Sequence, residues 1–213
     1  MKKYIFLLLT FISALSHAQN LSNDEEIVDS KTKSFIVQLK KAGIDTILTY
    51  QLKQTFSSIK VIPENISQKE KDSILCESEN PAYVLWKSQG NLYIVKINPC
   101  FSFTELAVNS NKLFLLLNNY PGILKSSPVK VFQFKDKSGR ILAMSVNHST
   151  ITELTVKFGD TKKHILINHY DLLKKSDTYL NLNYKANQNN IGFRIADEIS
   201  FLIKTLSFKK QLF

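Results

Sequence analysis

The chain has 213 residues, a formal charge of +10 and 44% hydrophobic residues, which is enough apolar material to bury a real core. Its six glycines stand singly, so no glycine-rich loop can lay consecutive backbone amides around a phosphate, and P-loop and dinucleotide-binding patterns are excluded. Lysine supplies nearly all of the positive charge, and only Arg140 and Arg194 offer the bidentate forks that phosphate and base recognition favour. The lysines are also scattered along the chain, so a solvated lysine surface is favoured over a nucleic-acid site.

Lys2 and Lys3, an apolar run from Tyr4 to Ile12 and small residues at Ser16 and Ala18 have the form of a secretory signal peptide cleaved after Ala18. The apolar run is too short to cross a membrane, which takes roughly 20 residues. Export to the periplasm or medium is therefore expected, and losing Lys2 and Lys3 lowers the formal charge from +10 to +8. Residues 19–23 read as a short lead-in, and 24–213 as one globular domain with no internal repeat and no further membrane span.

A helix is predicted from Ser22 or Asn23. A capping residue precedes Asp24, Glu25 and Glu26, Ile27, Val28, Phe35, Ile36, Leu39 and Ala42 recur near helical spacing, and Gly43 follows as a stop. The acidic triplet is what a helix dipole favours at its N-terminus, a simpler account than a metal site. Ile44 to Tyr50 is β-branched and reads as a strand, residues 57–66 as irregular around Pro63, and the polar run after Ser67 as a short helix leading to Cys76.

Between Cys76 and Cys100 lie Ala82–Trp86 and Leu92–Ile97, separated by Ser88-Gln89-Gly90-Asn91, the pattern of a β-hairpin. A two-residue turn at Gln89-Gly90 sets Trp86 opposite Tyr93, Val84 opposite Val95 and Ala82 opposite Ile97 on one face. Leu85 with Ile94, and Tyr83 near Lys96, fall on the other. Both faces are apolar, so the ribbon should be covered on both sides, with Trp86 and Leu85 each buried. In an exported chain the two cysteines are expected to form a structural disulfide rather than a redox or metal site, and closing this loop would stabilise by about 3.5 kcal/mol.

Phe101, Phe103, Leu106 and Val108 suggest a third strand, and Ser110 caps a predicted buried helix from Asn111 to Tyr120 that stops at Pro121-Gly122. Val129–Phe134 and Ile141–Val146 read as strands. Leu154, Val156 and Phe158, then Ile165 and Ile167 after a Gly159-Asp160 turn, alternate as strands with one wet face, and Leu180, Leu182 and Tyr184 repeat that alternation. Ile195, Ile199, Leu202, Ile203 and Leu206 form the apolar stripe of a closing helix. The predicted class is α+β: a mainly antiparallel, meandering sheet with N-terminal and C-terminal helices and a short helical insertion.

No zinc-protease, nucleophile-elbow or P-loop motif occurs, and no cofactor or metal site is expected. His148 beside Ser149, and His169 two residues from Asp171, are the candidates for a nucleophile with its base or a base with its orienting carboxylate; chance neighbours explain both pairs more simply. Tyr83, Trp86 and Tyr93 are the candidates for an aromatic binding platform, weighed against a core packed with aromatics. The leading expectation is an exported, non-catalytic binding module of the envelope or secreted fraction, with an envelope protein or glycan as partner. A small hydrolase around His148 and His169 is the first alternative, and a lysine-rich binder of anionic glycan, lipid or nucleic acid the second.

Overall fold

The computed structural model describes residues 24–53, 65, 67, 80–101, 103–146 and 149–209. The leader, the irregular stretch around Pro63, the short polar helix expected after Ser67, Cys76 and His148 lie outside the described residues. What is described is an α+β fold.

The N-terminal helix α1 covers residues 24–41. Val28, Thr32, Ile36 and Leu39 are its buried positions, spaced so that all lie on one face. It ends in paired bonds from the Gly43 N–H to the Lys40 carbonyl and from the Ile44 N–H to the Leu39 carbonyl, each 3.0 Å. That closure needs a left-handed residue at position 43, and glycine holds φ 76° there without a Cβ clash.

Strands β1 (Thr46–Lys53), β2 (Ala82–Ser88), β3 (Asn91–Ile97) and β4 (Leu106–Val108) continue the chain. Further on, β7 (Ile151–Phe158) and β8 (Thr161–Asn168) join them in one six-stranded antiparallel sheet, in the order β4-β3-β2-β1-β7-β8. The hairpin pairs Trp86 with Tyr93, Val84 with Val95, Leu85 with Ile94 and Tyr83 with Lys96, the register read from the sequence. Positive φ at both Gln89 (48°) and Gly90 (80°) makes the connection a turn whose twist matches the strands. Of the third strand expected from Phe101 to Val108, only Leu106–Val108 pairs along β3.

Two apolar layers cover the sheet. On one face Leu48, Leu85, Ile94, Leu154, Val156 and Ile167 pack under the helices that follow β4 and under the C-terminal helix. On the other, Ile47, Ala82, Val84, Trp86, Val95 and Ile97 pack under α1 with Val28, Ile36 and Leu39. Trp86 (5% exposed) and Leu85 (0%) are thus buried on opposite faces. Helix α1 covers β1, β2 and β3 only, and its face of β7 and β8 stays open, with Lys162, His164 and Leu166 exposed.

The helical insertion is two helices, not one. α2 (Asn111–Asn118) is capped by the Ser110 hydroxyl on the Leu113 N–H, and α3 (Tyr120–Lys125) starts anew with Asn119 capping the Gly122 N–H. Pro121-Gly122 therefore opens a helix where a stop was expected. Proline in the first turn loses no hydrogen bond, because that N–H has no partner inside the helix. The Ser110 hydroxyl also donates to Glu198 at 2.8 Å, and Lys112 pairs with the same carboxylate at 2.7 Å. Burial pushes the Glu198 carboxyl up, but the bonds from Lys112 and Ser110 outweigh it and hold it below the ordinary range.

β5 (Phe132–Lys135) and β6 (Ile141–Met144) form a separate two-stranded ribbon. After β8 come a 3-10 turn at His169–Leu172, the two-residue strands β9 (Lys175–Ser176) and β10 (Tyr179–Leu180), and α4 (Tyr184–Gln188). Of the strand expected through Leu180, Leu182 and Tyr184 only Tyr179–Leu180 forms, Tyr184 begins a helix, and the expected inward face is reversed. Asn181 is the buried residue (7% exposed), while Leu180 (62%) and Leu182 (48%) face solvent.

The closing helix α5 (Ile191–Thr205) buries Ile195, Ala196, Ile199 and Leu202 on the sheet. It lies so close to β8 that a Cβ at Gly192 would come within 2.8 Å of Ile165 Cδ1.

Candidate interaction surface

β5, β6, β9 and β10 make a small lobe beside the main sheet, and it is built by side-chain amides. Asn187, 1% exposed, accepts from the Lys130 N–H (2.9 Å) and donates to the Lys130 and Asp171 carbonyls (2.8 and 2.9 Å). Asn181 donates to the Asp171 and Leu173 carbonyls (2.9 and 3.0 Å) and accepts from the Asn183 N–H. Asn183 donates to the Val131 carbonyl, and Asn190 to that of Ser127. These amides supply what a neighbouring strand would otherwise give residues 127–133. The Asp171 carbonyl is met by both Asn181 and Asn187, and the Leu173 carbonyl by Asn181; leaving a buried carbonyl unmet costs about 1–3 kcal/mol, which favours Asn181 turning inward and its leucine neighbours turning out.

Asp171 belongs to the same network. Its carboxylate accepts the Phe132 N–H at 2.8 Å. Burial pushes the Asp171 carboxyl up, only partly opposed by that bond.

With its interior filled by amides and by Phe132 and Phe134, the lobe turns its remaining apolar side chains to solvent. Among the described residues, eight of the twelve large exposed hydrophobics lie within residues 131–182: Leu166 is on β8 of the main sheet, and Val131, Ile141, Leu142, Val146, Leu173, Leu180 and Leu182 are outside it. Ile141 (59% exposed) and Leu142 (40%) sit on β6. This strand pairs with β5 along one side, and no strand pairs with its other edge among the described residues. A turn braced by Asp136, whose carboxylate accepts from the Ser138 and Arg140 N–H groups at 2.9 Å, holds the β6 entrance. At the β6 exit the Tyr170 hydroxyl donates to the Met144 sulfur and lies 2.9 Å from Ser176 Oγ.

The lobe is also basic. Lys130, Lys135, Lys137, Lys174 and Lys175 belong to the same stretch of chain, whereas Asp136 is paired with Arg140, Asp171 is buried, and Asp177 has no ion pair among the described residues.

The residues singled out in the sequence lie elsewhere or serve other ends. His169 Nε2 lies 2.8 Å from the Thr152 hydroxyl, and desolvation, then the charge of Lys204, holds its pKa below the ordinary histidine value. Among the described residues His169 and Asp171 thus meet different partners, and no hydrogen bond joins them. Ser149 is half-buried just before β7. His164 Nδ1 meets the Thr155 hydroxyl at 3.1 Å. Tyr83, Trp86 and Tyr93 do not form one platform. Trp86 stacks on Tyr93 at 5.5 Å under α1, while Tyr83 is buried on the opposite face beside Tyr50 and Phe208. Strand alternation separates them. None of the described cysteines is free. Among the described residues no three His, Cys, Asp or Glu side chains gather as a metal set, and no helix is long and apolar enough to cross a membrane.

Sequence reasoning missed the asparagines. The signal was present in Asn181, Asn183, Asn187 and Asn190, a run of side chains that favour bonding to nearby backbone, set where apolar periodicity lapses.

No protein-family model matches the chain, nor does any curated protein or solved structure.

Proposed function

We propose that this chain is an exported, non-catalytic binding protein that captures an extended, apolar and acidic segment of a partner protein along the free edge of β6. The observation that carries the reading is the exposure of Ile141 and Leu142 on β6, whose outer edge no strand pairs among the described residues, in a stretch rich in lysine. An unpaired edge offers N–H and C=O groups to an incoming strand, the flanking apolar side chains supply specificity, and the lysines select against basic segments. Export rests on the leader, and a bridge between Cys76 and Cys100 accords with it. The intact mass of the exported protein tests both: it should begin at Gln19 and lack two hydrogens relative to the reduced chain, and a retained leader or two free thiols would contradict them.

The binding reading is tested with a seven-residue peptide alternating valine and glutamate, and its counterpart with lysine in place of glutamate, measured by fluorescence anisotropy. The acidic peptide should bind about tenfold more tightly than the basic one. The double variant Ile141→Lys/Leu142→Lys should weaken it by about tenfold while the chain stays folded by circular dichroism. Equal affinity for both peptides, no binding, or unchanged binding by the folded variant would refute the proposal. So would a mass in light scattering that doubles with concentration and reverts in the variant, which makes the occupant a second copy of the chain.

A further inference from the structure

Where α1 ends its cover of the sheet, a groove of about 260 Å³ opens between the helix and the bare face of β7 and β8. Its floor is set by strand register. Thr49, Thr155 and His164 are successive neighbours across β1, β7 and β8, so their side chains form one polar row at right angles to the strands. Ile47, Lys157 and Lys162 form the parallel row one pair along, and Gln51 with Glu153 the row on the other side.

The floor is therefore graded. Its middle offers two hydroxyls and an imidazole. One end offers two ammonium groups with no ion pair among the described residues. At the other end the Glu153 carboxylate is already paired with Lys53 at 3.3 Å. Burial, and then the charges of Lys40 and Lys162, hold the Lys157 ammonium below the ordinary lysine range; the groove's carboxylates are Glu153 on the floor and Asp29 on the α1 wall, and neither forms an ion pair with Lys157 or Lys162.

The wall carries a second, independent sign. Thr32 occupies the middle of the buried face of α1, between Val28 and Ile36, is 8% exposed and lines the groove. Its hydroxyl oxygen, almost wholly enclosed, has no hydrogen-bond partner among the described residues. A threonine there costs stability that valine of nearly the same shape would not, because a buried hydroxyl without a partner loses its water for nothing. Because the residue lines the groove, a ligand hydroxyl that shifts the wall slightly would supply that partner. His164 lines the groove with its Nδ1 at Thr155, and its Nε2 has no partner among the described residues.

We infer that the groove between α1 and the β7–β8 hairpin binds an anionic, hydroxyl-bearing small molecule of monosaccharide size, its acid group at Lys157 and Lys162 and its hydroxyls along Thr32, Thr49, Thr155 and His164. A sugar acid and a sugar phosphate share that chemistry. The site lies on a different element of the fold from the β6 edge and stands independently of the peptide reading.

The test is titration of the full mature chain with glucuronic acid, glucose 6-phosphate, neutral glucose and inorganic phosphate, followed by calorimetry and by amide NMR shifts. One of the two sugar anions should bind at least about tenfold more tightly than glucose and than phosphate, with shifts centred on Thr155 and His164, and the better of the two names the source. Lys157→Met should remove that preference over glucose. Thr32→Val is the sharper variant. It should raise the melting temperature of the free protein and yet weaken the sugar anion about fivefold, a combination that a merely structural flaw at Thr32 does not produce. Thr32→Val stabilising with unchanged affinity, phosphate binding as well as either sugar anion, or no binding by any probe at ten millimolar (about the weakest affinity worth calling a site) would each overturn the inference.

Discussion

The six-stranded sheet and the small lobe beside it solve the same problem by opposite means. In the sheet, apolar side chains point inward from both faces and the backbone bonds are made strand to strand. In the lobe, amide side chains point inward and meet the backbone of residues 127–133, and the leucines point out. The sheet takes its stability from area removed from water, whereas the lobe depends on a few bonds that fail if one partner is lost. A region held by polar bonds can keep an apolar surface free for a partner, because its own folding does not consume it.

The comparison can be broken at its strongest point. Leu85→Ala removes a side chain with 0% exposure from the middle of the sheet, and should cost about 4 kcal/mol in urea unfolding, near the upper part of the range for buried leucine. A loss below about 1.5 kcal/mol, the cost of a tolerated core swap, would mean that this face collapses freely around the gap.

Asn187→Ala comes next. It deletes three hydrogen bonds at a position 1% exposed and takes the amide from both the N–H and the carbonyl of Lys130, while the Asp171 carbonyl keeps its bond from Asn181. We expect a loss of about 3 kcal/mol, with amide exchange accelerated at residues 130–135 before the sheet is affected. Uniform acceleration throughout the chain would show that the lobe and sheet unfold as one unit.

The smallest effect sharpens the contrast most. Leu180→Lys replaces a leucine that is 62% exposed, and should change stability by no more than about 0.5 kcal/mol in either direction. A large loss would place Leu180 in a core and remove it from the candidate surface.

How much of this was legible in the chain itself varies with the physical cause. The hairpin register from Ala82 to Ile97 could be read residue by residue, because a two-residue turn with a glycine leaves one pairing and alternation assigns every side chain a face. The end of α1 could be read at Gly43, and the apolar stripe of α5 from Ile195 to Leu206. In each case a local rule and the tertiary packing agree. At Pro121-Gly122 the local signal has two readings, since proline both ends helices and begins them, and only the cap at Asn119 decides. At Leu180 and Leu182 the alternation was real but pointed the wrong way: three amide bonds from Asn181 outweigh the burial of two leucines. Of the candidate site residues, His169 and Asp171 lie close in the chain, but the 3-10 turn aims them at different partners. Tyr83 and Trp86 lie close in the strand and on opposite faces.

The sequence alone determined the α+β class, the central hairpin and the helices that begin and end the described domain, because periodicity and turn chemistry act over a few residues. The tertiary structure alone decided that β5 and β6 stand apart from the main sheet with an open edge. It likewise decided that α1 leaves β7 and β8 bare, and that Thr32 faces a groove. These are outcomes of which element reaches which neighbour, and that depends on contacts between residues far apart in the chain, where no local pattern carries the information.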